Sequence, residues 1–273
     1  MGEYKLIAFD MDGTLLNSRK QISDTTKEMI RRAAEAGKFI ALSTGRGLAE
    51  LDEYLKQVPE VRYLDCTSGA MIYDCHEKKV IARRAIAVPD MKKILEIARQ
   101  EDVMIHFLST RSIVQKSKLE EMEDYYMGVY KPMFETVADH CEDIYQFYMD
   151  HPVPMEKCNI YHHTTEERAV TEEKIKAANL PVVMVHSEIT SLEITAEGVN
   201  KGDGLLALCR YLNIPPEETI AVGDADNDRE VLQAAGLSVA MGNAAEHIKA
   251  LADVVVADCD HDGCAEVIEK YLL

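Results

Sequence analysis

Short apolar runs alternate with segments of helical periodicity at both ends of the chain. YKLIAF (4–9) leads into SDTTKEMIRRAAEAG (23–37). There Ser23 is placed to cap a helix, Met29, Ile30 and Ala33 share one face, and Gly37 stops it. KFIAL (38–42) follows, then a helical pattern near 47–57. The rhythm returns late in the chain as helix 201–212, strand 219–222 (TIAV), helix 227–235, strand 237–241 (LSVAM), helix 244–251, strand 253–257 (DVVVA) and helix 263–272. Strands that are apolar throughout, separated by amphipathic helices, predict an α/β fold with a doubly wound, Rossmann-like parallel sheet covered on both faces.

The middle of the chain reads differently. Its strands, VMIHFL (103–108), CNIYHH (158–163) and VVMVHS (182–187), are more polar and partly alternating, and helical patterns near 89–100, 117–127 and 165–179 separate them. This predicts a second α/β unit on an antiparallel or mixed sheet. It is inserted into the first, because the parallel-sheet rhythm resumes after it. The expected division is a core of residues 1–83 and 190–273 with an inserted domain at 84–189.

Composition narrows the function. With 273 residues, 47% apolar and 29% charged, the chain can bury a large core in about two domains. A net charge of −18 argues against a nucleic-acid partner, which needs a basic face. An anionic substrate would then need a local positive device. Seven cysteines without a CxxC pair read as free thiols of a reducing cytoplasm. No apolar run approaches the ~18 residues of a membrane span. The N-terminus lacks a signal-peptide core, and Leu6 breaks the myristoylation pattern that Gly2 would begin.

The chemistry gathers at strand ends. LIAF runs into Asp10, FIALS into Thr44-Gly45-Arg46, TIAV into Gly223-Asp224, and SVAM into Gly242-Asn243. In an open parallel sheet, ligands bind beyond the carboxyl ends of the strands. Asp10, Asp12 and Asp224 would form a carboxylate cluster, and like charges this close need a partner. A hard divalent cation with oxygen ligands, Mg²⁺, meets that need and gives a phosphate somewhere to dock. Lys201 opens a helix, where a cation opposes the macrodipole, so its position points to an anion to be paired. Thr44 offers a hydroxyl, Gly45 allows close backbone approach, and the helix that follows aims amides at an anion. Asp224, Asp226 and Asp228 imitate the start of a calcium loop. Arg229 stands where that loop requires Gly, however, and Ala235 where it requires Glu, so the reading is rejected. His162 and His163 are adjacent on a strand, point to opposite faces, and read as packing residues. So do the Met and Tyr residues of 123–134.

DMDGTL (10–15), STGR (43–46), Lys201 in GVNKGDGL, GDADND (223–228) and VAMGNA (239–244) together resemble the haloacid dehalogenase superfamily, in particular its Cof-type phosphatases with a large class 2 cap. The resemblance implies that Asp10 is the nucleophile forming an aspartyl-phosphate and that Asp12 is the general acid and base. It further implies that Asp10, the Asp12 carbonyl and Asp224 hold Mg²⁺, with Asp228 bracing that set. Met11 (through its backbone), Thr44, Gly45, Lys201 and Asn227 would hold the phosphoryl oxygens. Ser68 departs from the Asn common in the family. The expected activity is hydrolysis of small phosphorylated metabolites, sugar phosphates foremost, by a cytoplasmic monomer or small homo-oligomer. A phosphomutase is the nearer alternative, and a phosphoryl-accepting sensor the alternative of another kind.

Overall fold

The computed structural model describes residues 3–273; Met1 and Gly2, on which the lipidation reading falls, lie outside the described residues. In chain order the strands are β1 (Leu6–Phe9), β2 (Phe39–Ser43), β3 (Tyr63–Cys66), β4 (Met71–Asp74), β5 (Lys79–Arg83), β6 (Met104–Leu108), β7 (Ser112–Gln115), β8 (Asp139–Cys141), β9 (Lys157–Tyr161), β10 (Val182–Val185), β11 (Ser191–Ala196), β12 (Thr219–Gly223), β13 (Leu237–Ala240) and β14 (Val254–Val255). They form two sheets in two compact units. One unit holds the residues up to Gly45, Asp52–Arg83 and Val199–Leu273, and the other Arg46–Leu51 and Arg84–Gly198.

The first unit carries an eight-stranded sheet in the order β14-β13-β12-β1-β2-β3-β4-β5. From β14 to β3 every pairing is parallel, and β4 and β5 add an antiparallel edge. Strand β1 lies at the centre, with Leu6 opposite both Phe39 and Thr219. All four of its residues are buried, as expected of a strand covered on both faces. The helix Asp24–Glu35 buries Met29, Ile30 and Ala33, and Ser23 caps it by accepting from the Thr26 amide. In the helix Lys201–Leu212, Leu205 and Leu208 are buried among Leu6, Ala8, Ala41 and Tyr63, with Leu212 half-buried beside them. Each such side chain contributes about 1.5–3 kcal/mol on leaving water.

Several expected elements are shorter than the pattern indicated. The helix expected over 47–57 is a 3₁₀ turn, Leu48–Glu50, then a short helix, Asp52–Leu55. That over 244–251 is reduced to Glu246–Lys249, and the strand over 253–257 to Val254–Val255. Strands β3 to β5 escaped the pattern, because they are short and two of them end in or contain an acid.

The second unit carries a six-stranded sheet, β10-β11-β9-β6-β7-β8, antiparallel except between β7 and β8. The boundary expected at 190 is corrected to 199, since β11 pairs with β9 and β10 in this sheet. The segment Arg46–Leu51 groups with this unit too. The helix expected over 117–127 is replaced by the 3₁₀ turns Lys116–Leu119, Met122–Tyr125 and Gly128–Tyr130. Tyr126 takes a left-handed φ of 59°, which breaks any helix there. Met122, Tyr125 and Met127 instead drop into a core with Met104, Phe134 and Tyr161. His162 is buried and bonded to the Thr190 carbonyl and the Thr171 hydroxyl, while His163 meets Asp102. Among the described residues, no helix is long and apolar enough to cross a membrane.

Candidate active site

The site is built at the ends of the central parallel strands. Asp10 follows β1, and its amide bonds the Val222 carbonyl at 2.9 Å, which prolongs the ladder with β12. Asp224 follows β12 itself. Thr44 follows β2, and its amide donates to the Asp65 carbonyl at 2.8 Å. Lys201 is the first residue of its helix, fixed by the cap in which Asn200 Oδ1 accepts from the Asp203 amide at 2.8 Å.

Residues 191 positions apart meet here. Lys201 Nζ donates to Asp10 Oδ1 and to Asp228 Oδ1, both at 2.6 Å. The Lys201 and Asp228 side chains are fully buried and that of Asp10 is 8% exposed. Asp228 Oδ2 accepts the amides of Asp224 (2.9 Å) and Ala225 (3.0 Å), which fixes the turn carrying Asp224. Thr14 Oγ1 donates to Asp224 Oδ1 at 2.8 Å, and Asn243 Nδ2 reaches Asp224 Oδ2 at 3.3 Å and the Gly13 carbonyl at 2.8 Å. Gly13, with φ of +90°, is required: a Cβ there would lie 2.4 Å from Asp224 Oδ2.

Oxygens of Asp10, Asp224 and Asp228 lie within 4.8 Å of one another. Burial, then the charges of Asp228 and Asp224, raise the Asp10 carboxyl well above the ordinary carboxylate range, against the pull of Lys201. Burial likewise raises Asp224 to about 6, while the Thr14 hydroxyl works the other way. Burial opposes charge on Lys201, but Asp10 and Asp228 outweigh it and keep the ammonium protonated. Crowded hard oxygen donors, with their charge held back by burial, fit a divalent cation of the Mg²⁺ type.

The sequence-named residues divide accordingly. Asp10, Asp224, Asp228 and Lys201 come together. The Asp12 carboxylate is not one of the three clustered acids; it pairs with Lys20 Nζ at 2.7 Å, and its charge helps to raise Asp224. Met11 is fully buried, and its carbonyl accepts from the amides of Thr14 and Leu16. Thr44 is buried, Gly45 half-buried, and Asn227 exposed in the turn Asp226–Asp228. Sequence reasoning missed Lys20 and Asp65 and left Asn243 at a strand tip without a task. Nothing in the spacing of Lys20 or Asp65 marks them; Asn243, directly after an apolar strand, could have been found.

This constellation of buried acids and a lysine at the ends of parallel strands suits phosphoryl chemistry, and comparison with known proteins gives the class. The sequence profile of the haloacid dehalogenase-like hydrolases matches residues 7–268. The phosphatase YwpJ of Bacillus subtilis is 29% identical, covering 98% of this chain and all of its own. The 5-amino-6-(5-phospho-D-ribitylamino)uracil phosphatase YcsE of the same organism is 28% identical, over 99% of this chain and 97% of its own. A haloacid dehalogenase-like hydrolase from Bacteroides thetaiotaomicron superposes with a TM-score of 0.86 at 27% identity, over 98% and 99% of the two chains. The chain belongs to the haloacid dehalogenase-like hydrolases, and its activity is that of a phosphoric monoester hydrolase.

Proposed function

We propose that the protein is a Mg²⁺-dependent phosphatase of small phosphorylated metabolites, sugar and sugar-alcohol phosphates foremost, working through an aspartyl-phosphate. The observation that carries this reading is the buried Lys201 ammonium held between Asp10 and Asp228 beside Asp224. The ribityl phosphate in the name of the relative YcsE supports the substrate class.

Asp10 and Asp224, with the Asp12 carbonyl, are the groups that would hold Mg²⁺, and Asp228 braces the turn behind them. When bound, the ion supplies positive charge opposite the phosphoryl oxygens. The chain's own residues do the rest. Lys201 orients the Asp10 carboxylate through Oδ1 and adds a second positive charge as negative charge spreads over the phosphoryl group. Asp10 attacks phosphorus, and the phosphorus–oxygen ester bond breaks as Asp12 gives its proton to the departing alcohol. Asp12, now a carboxylate, takes a proton from water as that water attacks the aspartyl-phosphate, which releases inorganic phosphate and restores both acids. Thr44, Gly45, Asn227 and the Met11 backbone are the proposed phosphoryl-oxygen holders.

The test is a panel of phosphorylated metabolites assayed with Mg²⁺ for inorganic phosphate and ranked by kcat/KM. Turnover concentrated on sugar or sugar-alcohol phosphates supports the proposal. No phosphate release from any member rejects it, and an isomeric sugar phosphate as product points to a mutase instead.

A further inference from the structure

Behind the site lies a buried acid that the mechanism does not use. Asp65, on β3, is 2% exposed. The rest of β3 is apolar or thiol, and an aliphatic residue would be the inexpensive choice in a strand buried on both faces. Its Oδ2 accepts from Ser43 Oγ at 2.7 Å, while Oδ1 has no hydrogen-bond partner. Burial raises this carboxyl to about 7, with the Ser43 hydroxyl and the Lys201 charge pulling it back.

Its neighbours show what the acid is packed between. On one side is the tip of β2. The Thr44 amide donates to the Asp65 carbonyl at 2.8 Å, and the Thr44 carbonyl accepts from the Ser68 amide at 3.0 Å. Both backbone groups of Thr44 are therefore held by the segment 65–68, and the Asp65 side chain holds the hydroxyl of the residue before it. On the other side is the first turn of the helix begun by Lys201. A Cβ at Gly204 would come within 2.2 Å of Asp65 Oδ1, and a Cβ at Gly69 within 2.0 Å of the Asn200 carbonyl. Two glycines thus let the helix start press against the carboxyl and the turn after it. That turn is strained: Thr67, Ser68 and Gly69 all have positive φ, of 53°, 60° and 98°. For a β-branched threonine such a backbone is an outlier, and strain of this kind persists only where surrounding contacts over-determine it.

We propose that Asp65 is a positioning residue: through Ser43 and the first turn of the Lys201 helix, it fixes the spacing between Thr44 and Lys201, the two groups that flank a bound phosphoryl. The proposal rests on the phosphatase reading above. Asp65 touches neither substrate nor metal; it acts through the elements it joins.

Asp65→Asn keeps an acceptor for Ser43 and nearly the same volume, whereas Asp65→Leu removes the acceptor, and Ser43→Ala removes the donor with little change in packing. With Mg²⁺ and p-nitrophenyl phosphate, Asp65→Leu is expected to lose at least ~30-fold in kcat with KM within ~3-fold, because a slightly misplaced site costs rate more than binding. Asp65→Asn should restore kcat to within ~3-fold of wild type, and Ser43→Ala should fall between the two. Thermal melts establish that each variant is folded at the assay temperature. Should Asp65→Leu not fold, Ser43→Ala against Asp65→Asn decides alone. Wild-type kcat in Asp65→Leu or Ser43→Ala overturns the proposal, and so does an Asp65→Asn as slow as Asp65→Leu, which would make the charge itself the requirement. A wild-type protein without phosphatase activity overturns the underlying reading, a result distinct from active variants.

Discussion

At the scale of single residues, the site depends on one ammonium balancing buried acids. Replacing Lys201 by Met leaves Asp10 and Asp228 buried without their partner. Unfolding of the metal-free Lys201→Met protein in urea should show a loss of about 3–5 kcal/mol, the usual cost of half a buried ion pair. Asp10→Asn should keep its fold, since the amide still accepts from Lys201, but lose at least ~10³-fold in kcat as a missing nucleophile does. Residual turnover within tenfold of wild type would reject Asp10 as the attacking group. Asp12→Asn should be most defective on alkyl phosphates, whose alkoxide needs a proton to leave, and least on p-nitrophenyl phosphate. Equal losses on both would argue against the acid role. Asp10, Asp224 and Lys201 were legible in the sequence because each follows an apolar strand or opens a helix, whereas Asp228 was named only through the family resemblance. Lys20 was not: its ammonium reaches Asp12 only because a turn closed by the Asn17 carbonyl sets Lys20 in a left-handed conformation, φ 58°.

At the scale of elements, the helix Lys201–Leu212 joins core and chemistry. Its apolar side packs in the core while its cap aims the lysine. Asn200→Ala removes the cap bond and should cost about 1 kcal/mol in thermal or urea unfolding. Helices with a clear cap and stripe, such as Asp24–Glu35, were legible, whereas 117–127 was not, because left-handed Tyr126 and core packing override its propensity. One stretch warns against spacing taken alone. Residues 258–269 place Asp at 258, 260 and 262, Gly at 263 and Glu at 269, the pattern of a calcium loop. In the fold, Asp260 accepts from Ser18 and Asp262 from Ser23, and the chain turns helical from Gly263. Those carboxylates tie the last loop to the segment after β1 and do not converge on a point.

At the scale of the whole molecule, the buried acids make stability depend on pH and metal together. Asp224 (about 6) and Asp65 (about 7) are raised from an ordinary 3.8, and Asp10 is raised as well, all chiefly by burial. Between pH 4 and those values the folded state binds more protons than the unfolded state. Stability from these groups is therefore full at the acid end and lost as pH climbs through 6 and 7. A divalent cation favours the charged forms of Asp10 and Asp224, the clustered pair proposed to hold it, so Mg²⁺ should raise Tm more at pH 8 than at pH 5, as scanning calorimetry with and without EDTA will show. A Tm increment independent of pH would contradict this. The division into two units was legible from the change in strand character, but its return point was not: β11 (SLEITA) was not among the strands read from the pattern, although its polar–apolar alternation matches the second sheet, and its pairing with β9 and β10 assigns it there.

The central place of β1 also has a consequence for how the protein is made. One neighbour, β2, follows within some 30 residues, but the other, β12, begins only at Thr219. At ribosomal speeds of ~5–20 residues per second, the nascent chain spends on the order of 10–40 s with LIAF unpaired on one side. That interval is an opening for misassociation and a natural point of engagement for a holding chaperone. Ribosome-arrested chains ending before β12 and chains long enough for β12 to have emerged from the ribosome should differ sharply in protease resistance.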